Sequence, residues 1–541
     1  MALSQRTPID LPWRRAVRRR AISRAILVIV AFSLLPTGCV WFGDPDNTSV
    51  DSDPDDPVNS PPDDPDAGES LELNWGETPR SGSAGSYFAA VAAASGEGLV
   101  IGGSAKGTID FGNAINTTAG SSATAALLVS YDSDGDANWA FQESGSADYS
   151  NFAAVATDSS GNIYALVRIK TTSTWNFGNG ITVSGLVSGN HGAVVKFNAS
   201  GTAQWSYVPT TAPDRYEFYD IAVADGTIYI AGIQRGNGEF TYGSGVTAQA
   251  TVDGRNHALV LTLDATNGTA QDAATTTASL WDSVFEGIGV DADGNVYAAG
   301  NMTGTGTYSF AGNPSDIDVS GSTSTNFNTL IVSFDSNLDA RWAKSVDNLG
   351  AGGSAEFFGL AVGSNAVYAV GSFQGTANGF GNGVSYASQS DNDEGIVVAY
   401  DHNGTTQWVS GLISAANDPE IYYIDAATDS GGVYVGGYFL GNSTSTATAT
   451  FGTGVGVESS FESEMALVVK YDLDGTAVAA QGASGESSDA YSYAEGIAIG
   501  SDGQLYAAGA VTDDVPVTIG GTTFAGASAS GANGLVISFN P

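Results

Sequence analysis

From residue 88 onward, apolar and polar residues alternate in short runs that turn back on themselves at Gly, Asp and Asn. The clearest unit is FEGIGVDADGNVYAAG at 285–300. Relatives of it recur at 152–167, 218–232, 357–371, 422–437 and 493–509, with a worn first copy, FAAVAAASGEGLVIGG, at 88–103. Period-two alternation on both sides of such a turn predicts a β-hairpin. The corresponding positions Val100, Tyr164, Tyr229, Tyr297, Tyr368, Tyr434 and Tyr506 are spaced by roughly 68 residues, a repeat period. After each hairpin comes a second module of strand, turn and strand. Its copies include LLVSYDSDGDANW, VVKFNASGTAQW, LIVSFDSNLDARW and VVAYDHNGTTQW, ending at Trp139, Trp205, Trp342 and Trp408, and two more ending near Asp272 and Ala479.

The seventh copy of this module, LVISFNP, reaches Pro541 before its last strand. The missing strand is at the other end of the chain, where LELNW at 71–75 precedes Trp139 by one repeat. Four strands per copy and seven copies predict an all-β fold, a seven-bladed β-propeller of four antiparallel strands per blade. Its ring would be closed by 71–75 pairing with 535–539. Six or eight blades would need a copy lost or missed. Ala, Val and Ile at the inward positions of the first strands suit a crowded channel. Segments such as FGNGITVSG, YGSGVTAQA, FGNGVSYAS and FGTGVGVES read as polar insertions between second and third strands. They fall on the face that carries the blade-to-blade links, opposite the hairpin turns.

Composition agrees with this picture: 71 of 541 residues are Gly, and Leu/Glu/Lys/Arg-rich helical stretches are missing after residue 40. Seven arginines within the first 24 positions precede the apolar run AILVIVAFSLL at 25–35, a charged segment and then a hydrophobic one. Eleven residues fall short of the roughly 20 that span a bilayer, so a cleaved signal is expected over residues 1–38. The one cysteine of the chain, Cys39, follows in LLPTGCV. A secreted protein with disulfides would hold cysteines in pairs. Residues 39–69 are rich in Asp and Pro and poor in apolar side chains, so they are expected to form a disordered, self-repelling tether ahead of a propeller domain at 70–541. Removing 1–38 leaves 57 acidic and 11 basic residues, a net charge of −46 against −40 for the whole chain. Such a charge argues against nucleic acid and against adhesion to anionic headgroups as functions.

LLPTGCV resembles the signal of bacterial lipoproteins, with Thr37 and Gly38 as the small residues before the cysteine and Leu35 displaced by Pro36. The resemblance implies lipidation at Cys39 and anchoring without a transmembrane helix. With Val40 after the cysteine it further implies sorting to the outer membrane or cell surface. The unit EGIVVAYDHNGTTQWVSGLISAANDPEIYYIDAATDSGGVYVGGYF resembles the bacterial seven-bladed β-propeller repeat over about 75–541. That resemblance is specific for architecture and says little about activity.

Candidate chemistry is sparse. Asp148, Asp214, Asp418 and Asp489 each stand four residues before the aromatic that starts a repeat, and Asp282 three before Phe285. They are candidates for a cation or basic-ligand site near the channel mouth; the competing reading is a repeated turn cap. Asp132, Asp134 and Asp136 in DSDGD are candidate Ca²⁺ ligands through hard carboxylate oxygens. They lack the downstream bidentate Glu, and the sister turns DLDG, DADG and DHNG lose carboxylates progressively, which favours turn geometry. His191 and His257 occupy equivalent points of neighbouring repeats, but two ligands make an incomplete metal site. The recurring tryptophans read as packing between blades. Trp175 and Trp281 are off that register and are the candidates for stacking on a glycan or peptide.

No catalytic motif was found, so no cofactor is expected. The expected function is a monomeric, lipid-anchored binding scaffold at the bacterial envelope, with protein or polysaccharide partners. YDxxGxxxW also resembles the repeats of quinone-cofactor dehydrogenases, which implies the alternative of an enzyme acting on sugars or alcohols. A further alternative is a structural subunit of an envelope assembly.

Overall fold

A computed structural model describes residues 70–541, apart from 83–84, 97, 119–122, 146–147, 324–325, 351, 442–445, 460, 513–514, 527–531 and 541. The signal segment, Cys39 and the tether to residue 69 lie outside the described residues. Every regular element among the described residues is a β-strand, so none of them forms a helix long and apolar enough to cross a membrane.

The strands form antiparallel sheets whose members lie side by side in chain order. In sheet 1 these are Ser86–Ala93, Leu99–Ala105, Ala125–Tyr131 and Ala137–Gln142. Sheets 2 to 6 repeat the order from first strands Ser150–Thr157, Tyr216–Ala224, Ser283–Val290, Ser354–Val362 and Glu420–Thr428. Sheet 7 takes Ser492–Ile499, Leu505–Val511 and Asn533–Asn540, and its fourth member is Glu72–Glu77. That strand pairs Glu72 with Asn540, Trp75 with Ser538 and Glu77 with Val536. First strands lie innermost, each touching the first strand of the next sheet. Meander sheets stacked in this way form a β-propeller.

The tryptophans account for much of the stacking. An indole on the outer strand of one sheet lies over the last hairpin turn of the next: Trp139 on Gly201, Trp205 on Gly268, Trp342 on Gly404 and Trp408 on Gly475. Trp75 of sheet 7 lies in the same way on Gly135 of sheet 1. A Cβ at any of these glycines would come within 2.6–2.8 Å of the indole, and each glycine has φ between +73° and +87°. Both constraints select Gly. Trp75, Trp139, Trp342 and Trp408 also donate Nε1–H to a carbonyl of that turn, at 2.6, 3.1, 3.1 and 2.9 Å. The two repeats without the tryptophan explain themselves. Asp272 of sheet 3 faces a turn that carries Leu338, at φ +56°, in place of Gly. Ala479 of sheet 6 faces sheet 7, where the last two strands come from opposite ends of the chain and have no connecting turn.

The inserted segments between second and third strands are not polar loops. They fold into short hairpins, such as Thr174–Asn176 with Thr182–Ser184 and Thr376–Gly381 with Val384–Ala387. Their aromatic residues Phe111, Phe177, Phe240, Phe310, Phe380 and Phe451 are buried in the core. FGNG turns through left-handed residues, with Gly178, Asn179 and Gly180 at φ +81°, +52° and +77°. The Asn179 side chain then donates to the Ala203 carbonyl of the outer strand at 2.8 Å. A run of Gly and Asn thus conceals a clamp anchored by buried apolar residues of its hairpin, such as Trp175, Phe177 and Val183 in sheet 2.

Candidate functional site

Each of the seven first strands carries one residue more than its partner. The register skips Ala89, Ala153, Tyr219, Glu286, Phe358, Ile424 and Glu495. Each bulge leaves one unpaired extra residue on an innermost strand and bends the strand there. The expectation of Ala, Val and Ile does not extend to this level: Ala89, Ala153 and Ile424 fit it, and two Glu, a Tyr and a Phe do not. An alternating pattern cannot reveal this, because the extra residue is what breaks the alternation.

Directly after two of these bulges stand Asp220 and Asp425, and each joins adjacent sheets. Asp220 accepts the N–H of Ile221 at 2.8 Å and that of Ile288 in sheet 4 at 2.9 Å. Asp425 accepts the N–H of Ala426 at 2.9 Å and that of Ile497 in sheet 7 at 3.0 Å. Burial pushes the Asp220 carboxyl up to about 6, against the lowering effect of its two N–H donors. Burial pushes Asp425 up to about 7, and the negative charge of Asp220 adds to the rise. Glu286 is likewise raised by burial to about 7, with Arg168 opposing and Glu217 reinforcing the shift.

A groove lies at the end of the propeller where the first strands begin. It has a volume of about 420 Å³ and is lined by Thr251, Thr277, Ser279, Leu280, Trp281 and Thr307 among others. Leu280 is 75% and Trp281 40% exposed. The link 279–282 holds the indole in place: Ser279 Oγ bonds both the N–H and the carbonyl of Trp281 at 3.0 Å. Gly304 and Gly306 leave room for the ring, since a Cβ there would sit 2.9 and 3.0 Å from it. The Arg255 guanidinium lies 5.5 Å from the ring centroid and is fixed by Asp282 at 2.8 Å.

Trp175, the other off-register tryptophan, is fully buried between the hairpin and the core of sheet 2, which removes it as a stacking platform. Its neighbours Thr174 and Asn176 are exposed, a Thr-Trp-Asn alternation that already marks it as an inward strand position.

Three of the five acidic residues expected near the mouth serve local groups through their carboxylates. Asp148 accepts hydroxyl hydrogen bonds from Ser173 and Thr171, which hold its carboxyl below the usual range. Asp214 caps the N–H of Arg215 at 2.7 Å, and Asp282 accepts from Asn256 N–H at 2.8 Å besides pairing with Arg255. Asp418 stands at a left-handed φ of +48°, and the Asp489 N–H donates to Ser487 Oγ. Among the described residues no group of three or more His, Cys, Asp or Glu is arranged to hold a metal ion. His191 and His257 are both buried; burial lowers their readiness to protonate.

In the DSDGD turn, Asp132 Oδ1 accepts the N–H groups of Asp134 at 3.1 Å and Asp136 at 2.9 Å. Asp158, Asp291, Asp401 and Asp472 do the same in their own turns. The repeated Asp is thus explained by two backbone donors that a turn leaves over. Asp132→Ala should cost about 1 kcal/mol, the net worth of a hydrogen bond or two. Thermal denaturation with and without millimolar Ca²⁺ checks the reading: a Ca²⁺-dependent rise in the wild type, lost in the variant, would restore the calcium site.

No family model matches the sequence, and no curated protein matches it. Among solved structures, the chain is similar to a quinohemoprotein alcohol dehydrogenase of Pseudomonas putida HK5 at 14% identity, covering 66% of this chain, with a TM-score of 0.27; it spans about half (54%) of that protein's length. The Dos1 propeller matches at 10% identity over 87% of this chain and 95% of its own, with a TM-score of 0.36. The quinohemoprotein alcohol dehydrogenase of Comamonas testosteroni matches at 12% identity over 87% and 76%, with a TM-score of 0.35. Likenesses this distant assign no activity to the chain.

Proposed function

We propose that this chain is a seven-bladed β-propeller, closed by its N-terminal strand, that serves as a binding scaffold held at the bacterial envelope by a lipid on Cys39. The blade count is supported by seven meander sheets among the described residues, six of four strands and one, sheet 3, extended to six by pairing with the inserted hairpin of sheet 4. Closure is supported by the pairing of Glu72–Glu77 with 536–540 and by the seating of Trp75 on Gly135. Anchoring is supported by the arginine-rich and apolar segments and by Thr37-Gly38-Cys39. The acidic tether would hold the ring away from the headgroups.

The observation that carries the binding role is the Trp281 groove. A large aromatic is kept partly exposed by a dedicated set of contacts, next to an exposed leucine and a row of hydroxyl groups, in a cleft of ligand-sized volume. Its partners would be proteins or polysaccharides of the envelope. Capture from an envelope extract with the propeller as bait tests this. Trp281→Ala should remove the captured partner while leaving the melting temperature within about 2 °C, since the residue is partly exposed. Capture unchanged by the substitution would reject the groove as the binding surface.

A further inference from the structure

The worn first repeat leaves a hole in the molecule. In each sheet one residue of the second strand, one of the third and one of the outer strand stand opposite one another on the same side. The row reads Tyr164, Lys196 and Trp205 in sheet 2, and Tyr297, Ser333 and Trp342 in sheet 4. In sheet 5 it reads Tyr368, Ala399 and Trp408, and in sheet 7 Tyr506, Ser538 and Trp75. In all four the phenol and indole rings lie 5.7–6.2 Å apart, and the tyrosine is at most 4% exposed. The hydroxyls of Tyr164, Tyr297 and Tyr506 donate to a carboxylate of the first hairpin turn, Asp158 at 2.9 Å, Asp291 at 2.7 Å and Asp502 at 2.5 Å.

Sheet 1 lacks both members of this pair. Its row reads Val100, Ser130 and Trp139, and Ala94 stands where sheet 2 has Asp158. A cavity of about 300 Å³ opens there between sheets 1 and 2, with Ala94, Val100, Ser130 and Trp139 in its wall. Ser95, Asn138 and Ser200, all exposed, mark its open mouth, and no charged residue lines it. Ser130 is 7% exposed, and among the described residues its hydroxyl makes no hydrogen bond. The equivalent serines are engaged: Ser333 Oγ accepts from Arg341 at 3.1 Å and Ser538 Oγ donates to Gln504 at 3.2 Å.

We propose that this cavity is a binding site for a phenol ring, the group that the repeat places at this point of the other sheets. A cavity left where a large side chain is missing takes up a free aromatic ring. The volume stands at the lower end of the range for ligand pockets, about 300 to 1,000 Å³, which suits one ring and not a chain of sugars. Trp139 lacks the aromatic neighbour that its counterparts have, so an edge or face of its indole is left for the ligand. The open Ser130 hydroxyl, donor and acceptor at once, selects a ring that carries a hydroxyl of its own. A charged group would enter without a counter-charge, which the uncharged lining disfavours. Such a ring is carried by a free small phenol or by a tyrosine of a partner protein. The cavity shares no residue with the Trp281 groove and operates whether or not that groove binds a partner.

The test is titration calorimetry on the mature protein with three probes: p-cresol, toluene as the ring without a hydroxyl, and the capped peptide acetyl-Gly-Tyr-Gly-amide. p-Cresol should bind saturably and about fivefold or more tighter than toluene, the worth of one hydrogen bond. Its affinity should fall about tenfold or more in Val100→Tyr, which refills the space with the side chain of the other six repeats, and stay unchanged in Trp281→Ala. Ser130→Lys covers the case in which Val100→Tyr fails to fold. It brings in the residue of sheets 2 and 6, and in sheet 2 Lys196 reaches across the same gap to the Ala265 carbonyl at 2.8 Å. Peptide binding that is lost in the filled variants assigns the ring to a partner's tyrosine, and binding of p-cresol without the peptide assigns it to a free phenol. No saturable binding of p-cresol, equal affinity for toluene, or equal binding by the wild type and the filled variants would each overturn the proposal. Loss of binding in Trp281→Ala would place the ring in the groove and likewise overturn this site.

Discussion

Deleting residues 71–77 lowers the melting temperature of the mature protein by more than about 10 °C, or abolishes a cooperative transition, whereas deleting 43–66 shifts it by less than about 2 °C. The expectation follows from what the short strand does. It supplies the outer ladder of sheet 7 through five register pairs, brings Leu71 into the core shared by sheets 6 and 7 and seats Trp75 on sheet 1. Removing it exposes the edge of Asn533–Asn540 and uncovers apolar surface on both neighbours. Trp75→Ala alone should cost about 2–3 kcal/mol, less than a fully buried Trp because the ring is only partly covered. Several degrees per kcal/mol is an upper guide for a domain this large. Calorimetry on the three variants decides the matter. If both deletions melt alike, the ring is not held by its N-terminal strand.

Acidification from pH 8 to pH 5 raises the unfolding temperature, and Asp220→Asn with Asp425→Asn removes much of that slope. Both carboxyls are raised in the folded state, to about 6 and about 7, above an ordinary value of 3.8. Folding therefore takes up protons: the stabilisation is fully present below the unfolded value and is lost as pH rises through about 6 and then 7. Glu286 has the same sign. The large negative net charge also favours lower pH through general repulsion, and the double Asn variant separates the two causes, since it removes only two charges of many. Asp425→Ala tests the clip itself. It leaves the N–H groups of Ala426 and Ile497 without their acceptor and should cost about 2 kcal/mol or more. A pH slope unchanged in the double variant would show that these carboxyls do not titrate in this range.

Much of the fold was legible because the repeat places the same residue type at the same structural point. Trp139, Trp205, Trp342 and Trp408 mark outer strands, and Trp75, though isolated in the sequence, carries the same mark. Asp132 and its sisters were readable for a similar reason, since a side chain bonding within its own turn needs only local sequence. What escaped was what depends on tertiary position. Gly-Asn-Gly hairpins read as polar insertions, yet one Phe in each is buried. Trp175 was off the tryptophan register and so taken as exposed, but its hairpin has a register of its own. The bulges were hidden more thoroughly, since Tyr219, Glu286 and their equivalents are the residues that break the alternating pattern from which the strands were read.

The pairing of Glu72 with Asn540 has a topological consequence. The first and last strands among the described residues lie antiparallel, with Glu72 beside Asn540, so in the proposed closed ring no blade is a structurally privileged starting point. A short linker from residue 540 to residue 72 would supply sheet 7 with the connecting turn that its neighbours already have. New termini could then be opened in any of the Asp-led hairpin turns. A circular permutant of this kind would keep the same seven sheets while moving the point of attachment to a different blade, and so would let the ring be presented in any of seven orientations.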